Sequence, residues 1–165
     1  MYIQSRAASI AFKAVLIAAG IWGLLLTFGV FEGRFNLGML NYYTVLSNLL
    51  CVVYFLLDLA YLIRHRHDPT KTTWRPLLKG IVTMGITVTM LVAHFMLGMR
   101  FSMGNSSGLS LLLVHYIVPA MTILDWLLFD PKGRIKKTAP LVWTAAPLVY
   151  FVYTLLAVQP GMTMG

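Results

Sequence analysis

The chain has 165 residues, of which 59% are hydrophobic and 11% charged, with a formal net charge of +8. A soluble domain carries about a quarter charged residues, and here the apolar excess comes in long blocks, which excludes an ordinary water-soluble fold. The basic residues cluster in the gaps between blocks, which argues against a nucleic-acid interface, and the single cysteine, Cys51, leaves no disulfide framework and no Cys/His zinc spacing.

Five blocks approach the roughly 20 apolar residues that a membrane crossing needs, and in chain order they predict an all-α, polytopic helix bundle. Lipid cannot satisfy bare backbone groups, and the dyad pattern of a barrel is missing. The first span is 10–30, too long for a cleaved signal peptide. Its Ala14/Ala18 and Ala19/Gly23 pairs, spaced by four, predict a close helix neighbour. The second, 39–63, places Thr44, Ser47, Asn48, Cys51 and Asp58 on one face at about 100° per residue. The loop RHRHDPTKTTWRP follows, punctuated by Pro69 and Pro76, with His65 and His67 facing solvent or headgroups.

The third span, 78–99, carries Thr83, Thr87, Met90 and His94 as one stripe, flanked by Gly80 and Gly98. GNSSG then reads as a flexible external turn, and Asn105-Ser106-Ser107 fits a glycosylation sequon. The fourth, 109–129, aligns His115, Pro119 and Thr122 with Asp125 at the edge, and Pro119 should kink it. The turn DPKG leads to the fifth, 139–158, where Pro147 should kink the helix. Tyr42, Tyr43, Tyr61, Trp74 and Trp126 fall near span ends, as in an aromatic belt. The whole of 1–165 reads as one transmembrane domain.

Eleven of the 13 basic residues fall before span one, between spans two and three, or between spans four and five. Arg34 and Arg100 alone lie in the other connections. By the positive-inside rule this puts the N-terminus in the cytoplasm. Membrane lipids are the expected partners, with anionic headgroups at the basic loops and no nucleic acid. The oligomeric state is not legible.

Polar groups at membrane depth face a bundle interior and mark function by default. Thr44, His94 and His115 each lie five or six residues from the outer end of their spans, about 8–9 Å at the helical rise, and so share one predicted layer. Asp58 and Asp125 form an inner layer, with Lys13 or Lys79 as partners. The plain alternatives are a Thr44 hydroxyl bonded to a carbonyl one turn back, Ser47 and Asn48 bridging helices, and Cys51 packing. The chemical alternative makes Thr44 a nucleophile and His115 its base, with Asn48, Ser47 or His94 donating to an oxyanion. A metal site from His94, His115 and Asp125 fails, because Asp125 lies about 15 Å deeper than His115. No cofactor is implied.

The segments YYTVLSNLL, with Thr44, and LLLVHYIVPAMTILDW, with His115 and Pro119, resemble the paired motifs of the androgen-induced-gene family. Its animal members are multi-pass hydrolases of fatty acid esters of hydroxy fatty acids. A bacterial branch of small multi-pass proteins is similar in span order, in the basic loop after span two and in the DPKG turn. The resemblance implies an integral membrane hydrolase of the bacterial cytoplasmic membrane, with Thr44 as nucleophile and His115 as base. Those relatives continue through a YPYPF-like loop into a sixth helix, whereas this chain stops at QPGMTMG, which implies a C-terminal truncation or a five-helix variant. The competing expectation is a non-enzymatic membrane protein that binds or conducts a small, lipidic or cationic ligand through its polar interior.

Overall fold

The computed structural model describes residues 2–33, 35–68, 70–96, 98, 105–131, 133 and 138–157. Among them there is no strand, and five helices are long and apolar enough to cross a membrane. These are α1 (Arg6–Thr27), α2 (Tyr43–Arg64), α3 (Pro76–Met96), α4 (Ser106–Phe129) and α5 (Ala139–Leu156). The expected span ends at Met99 and Val158, the tail QPGMTMG, and the basic residues Arg34, Arg100, Lys132, Arg134, Lys136 and Lys137 lie outside the described residues.

Local chemistry sets the helix ends. α1 begins before the expected Ile10 because the Ser5 hydroxyl caps the Ala8 N–H at 3.3 Å. It ends at Thr27 because Gly29 adopts φ 70°, open to glycine and costly to other residues. The Leu37–Asn41 segment winds as a 3₁₀ turn, so α2 starts at Tyr43 and not at Met39. α3 opens on Pro76, whose missing N–H is harmless in a first turn. Asn105, expected in a flexible turn, instead caps α4 by accepting from the Gly108 N–H at 2.7 Å.

α1 packs on α2 and α4, and both of these pack on α3. α5 lies outside this ring of four, against α3. Only 6% of its apolar window is buried, against 33–44% for the others. The core joins Leu16, Ile17, Cys51, Tyr54, Phe55, Val82, Ile86 and Val118. Of the two expected small-residue pairs on α1, Ala19/Gly23 faces the bundle and Ala14/Ala18 is exposed. Gly20 and Gly23 make the close approach. A Cβ on Gly20 would lie 2.5 Å from Val52, and one on Gly23 3.0 Å from Leu113 and Val114.

Both prolines reshape their helices one turn upstream. Pro119 offers no N–H to the His115 carbonyl and its ring crowds that carbonyl. α4 therefore widens into a π turn at Leu113–Ile117, where the Val118 N–H reaches Leu113 O. In α5 the break falls at Thr144, between Trp143 and Ala145, where Pro147 withdraws its donor. A second π turn, Val92–Met96, closes α3 and carries His94. At the N-terminal end of the bundle, Arg6 donates to Leu62, His65, Asp68 and Lys71 carbonyls at 2.7–3.4 Å. It thus caps the negative end of the α2 dipole and fixes α1 beside α2.

Candidate functional site

At the far end of the bundle, Thr44 and His115 meet. Three other threonines in these helices return their hydroxyls to their own backbone: Thr27 to Gly23 O at 2.8 Å, Thr87 to Thr83 O at 2.6 Å and Thr122 to Val118 O at 2.8 Å. Thr44 does not, contrary to the plain reading of its pattern. It lies in the first turn of α2, and the residue four back, Leu40, belongs to the 3₁₀ turn. Its hydroxyl lies 3.3 Å from His115 Nε2.

His115 is 6% exposed and sits within the α4 π turn. Its Nδ1 lies 3.2 Å from the Leu111 carbonyl. A carbonyl can only accept, so Nδ1 carries the proton and Nε2 presents its lone pair to Thr44. π turns recur at functional sites because they re-aim side chains.

Asn48 ties the two helices together here. Its amide nitrogen donates to Thr44 O at 2.8 Å and to Val114 O at 2.9 Å. Ser47 Oγ donates to Thr44 O at 3.0 Å and lies 2.7 Å from Thr89 Oγ1. With these donors engaged, Asn48 and Ser47 position the first turn of α2 and are not free oxyanion donors. His94 does not join the layer expected of it. It is exposed, with Nδ1 3.4 Å from the Tyr116 hydroxyl.

The α3 residue that does reach the site is Thr89, 3% exposed. The inward face of α3 is Val82, Ile86, Thr89 and Ala93, rotated by about one residue from the expected stripe of Thr83, Thr87, Met90 and His94. The i, i+4, i+7, i+11 spacing of that set is itself helical, and its signal is apolar apart from one hydroxyl.

Thr44, Thr89 and His115 line one open cavity of about 280 Å³, with Val88, Val92 and the α5 residue Phe151 also in its walls. An apolar cavity of about 670 Å³ adjoins it, lined by Leu46, Leu50, Ile81 and Val149 among others. Tyr43 and Tyr150 border both, their ring centroids 4.9 Å apart. Tyr43 donates to Gly85 O at 3.0 Å and Tyr150 to Asn41 O at 2.8 Å.

The inner aspartates stand at the N-terminal end in an ion network. Lys13 Nζ lies 2.5 Å from Asp125 and 3.6 Å from Asp58. Lys79 Nζ lies 2.5 Å from Asp125 and 2.7 Å from Asp130. Asp58 Oδ1 also accepts from the Thr73 hydroxyl at 3.0 Å and the Trp74 N–H at 2.6 Å. Both lysines take part, where the sequence offered either one. Asp130 was missed because it follows the apolar block and reads as the start of a turn. Cys51 packs in the core with Sγ 3.1 Å from Thr122 Oγ1. Among the described residues, no group of three His, Cys, Asp or Glu side chains is placed to hold a metal ion.

No protein-family model, curated protein or solved structure matches the chain.

Proposed function

We propose that the protein is an integral membrane hydrolase of lipid esters, with Thr44 as nucleophile and His115 as general base. One observation carries the reading: the Thr44 hydroxyl forgoes its helix and meets the Nε2 lone pair of a buried imidazole over a cavity. The resemblance of the two segments that hold them to a threonine hydrolase family points the same way.

The chemistry runs in two halves. Thr44 Oγ1 bonds to the ester carbonyl carbon while His115 Nε2 takes its proton. The carbon–alkoxide bond then breaks, the leaving oxygen takes that proton, and an acyl-threonine remains. Water then bonds to the acyl carbon while His115 Nε2 takes its proton, the bond from that carbon to Thr44 Oγ1 breaks, and Oγ1 regains the proton as the acid leaves. The Leu111 carbonyl holds the imidazole in the productive tautomer. Thr89 Oγ1, in the same cavity, serves the oxyanion by turning its hydrogen from Ser47 to the substrate. The apolar cavity beyond the Tyr43–Tyr150 pair suits an acyl chain, which supports lipid esters as the substrate class. The basic residues flanking the N-terminal end orient the chain with its N-terminus cytoplasmic and the Thr44 cavity toward the opposite leaflet.

The test is fluorophosphonate labelling of purified full-length protein. Wild type should label, with the adduct on Thr44 in peptide maps. Thr44→Ala and His115→Ala should not label, with helical circular dichroism unchanged. Equal labelling of Thr44→Ala removes the nucleophile assignment.

A further inference from the structure

We infer that Asp130 is a proton-binding site: a buried carboxyl that holds one exchangeable proton and is reached through its own cavity at the N-terminal end of the bundle. The inference does not rest on the hydrolase reading, since the two sites lie at opposite ends.

The first ground is charge balance. Among the described residues, Asp58, Asp125 and Asp130 face Lys13 and Lys79, so three carboxylates share two ammoniums. Four of the five side chains are at most 1% exposed, and that of Asp130 is 9% exposed. Fully ionised, the cluster would carry one net negative charge out of water, which costs several kcal/mol. One added proton removes it.

The second ground is placement. Asp125 sets each oxygen against a lysine at 2.5 Å, and Asp58 has two donors on Oδ1 and Lys13 near Oδ2. Of the three, Asp130 alone keeps an oxygen, Oδ1, with neither a hydrogen bond nor an ion pair among the described residues. A carboxylate oxygen left so is expensive, whereas a protonated carboxyl is neutral. Asp130 lines a cavity of about 200 Å³ with Tyr61, Lys71, Thr73 and Trp126. Lys71 lines that cavity without an ion pair to Asp130 among the described residues.

The electrostatics agree. Burial raises the Asp130 carboxyl above the ordinary carboxylate range, against the pull of Lys79 and Lys13 and with the push of Asp125. The groups facing it from the packed elements are Lys79 of α3, Asp125 of α4 and Lys13 of α1, with Tyr54 and Asp58 of α2 beyond. An acid whose folded value is raised stabilises the fold fully below its unfolded value. That contribution is lost as pH rises through the folded value. Deprotonation thus lowers the stability of the fold.

Dicyclohexylcarbodiimide attacks protonated carboxyls in apolar surroundings. Wild-type protein in detergent should give an adduct that maps to Asp130, fading as pH rises. Infrared spectra at neutral pH should show the C=O stretch of one protonated acid, absent from Asp130→Asn. The fall of Tm with rising pH should flatten in that variant. An adduct elsewhere, or an acid band that survives Asp130→Asn, overturns the assignment. So does the absence of any acid band at neutral pH together with a Tm that rises with added sodium or potassium, since a metal cation would then supply the charge. The adduct map needs no variant to fold.

Discussion

The two ends of this bundle use their polar groups in opposite ways. At the N-terminal end, Lys13, Asp58, Lys79, Asp125 and Asp130 bind α1, α2, α3 and α4 to one another at a single depth. Nearly all their charge is answered by a partner. At the far end, Thr44 and His115 share one long hydrogen bond over open volume, on a helix start and a π turn. The contrast separates a region that fixes helix register from one that leaves its reactive atoms available. Buried ion pairs are poor sources of net stability, yet breaking one is severe, because the survivor is left charged and unpaired.

The largest effect on stability should therefore come from the charged end. Lys79→Met leaves Asp130 without its ammonium and Asp125 with Lys13 alone, and should lower the unfolding free energy by about 3–5 kcal/mol. The check is Tm in detergent. A fall no larger than that of an exposed α5 substitution such as Leu148→Ala would erase the contrast between the ends.

A smaller effect on stability, with a larger one on turnover, is expected at Asn48. Asn48→Leu removes two hydrogen bonds worth about 1 kcal/mol each. It also removes the buried Oδ1, which has no partner and whose desolvation costs about 1–3 kcal/mol. These terms nearly offset, so Tm should barely move. The first turn of α2 would lose its tie to Val114 beside His115, and the proposed hydrolysis of a long-chain acyl ester should fall about tenfold, since misplacement by a fraction of an ångström is felt by the reacting atoms. A large fall in Tm with normal turnover would show Asn48 to be structural alone.

The sequence was most readable where polarity and helical phase coincide. The α2 face of Ser47, Asn48, Cys51 and Asp58 is buried as a unit, and so is the α4 face of His115, Pro119, Thr122 and Asp125. α3 misled because its most visible polar residues are not its inward ones. Thr87 satisfies itself on Thr83 O, His94 turns to Tyr116, and the inward position is the single Thr89 among apolar neighbours. Asp130 was hidden by lying one residue past an apolar block, where hydropathy gives no account of a side chain folding back. The π turn at Leu113–Ile117 was legible only as a proline kink, because widening a helix leaves no composition signature.

The smallest and most discriminating change tests whether that π turn matters. Gly23 of α1 packs against it, and a new Cβ there would lie 3.0 Å from Leu113 Cβ and Val114 Cγ1. Gly23→Ala gains roughly 0.5–1 kcal/mol of helix propensity. It also requires the turn to shift by a few tenths of an ångström, a strain of similar size. Tm should thus stay within about 1 kcal/mol equivalent of wild type. Val114 precedes His115, so the shift reaches Nε2, and the Thr44–His115 contact is already long at 3.3 Å. Turnover in the proposed hydrolysis should fall several-fold, expressed in kcat more than in KM, because the apolar cavity on the α3–α5 side is untouched. Ala18→Leu, on the exposed side of the same helix, should change neither quantity. If Gly23→Ala also leaves kcat unchanged, the π turn does not set the reach of the imidazole, and the far end is less finely arranged than its single hydrogen bond implies.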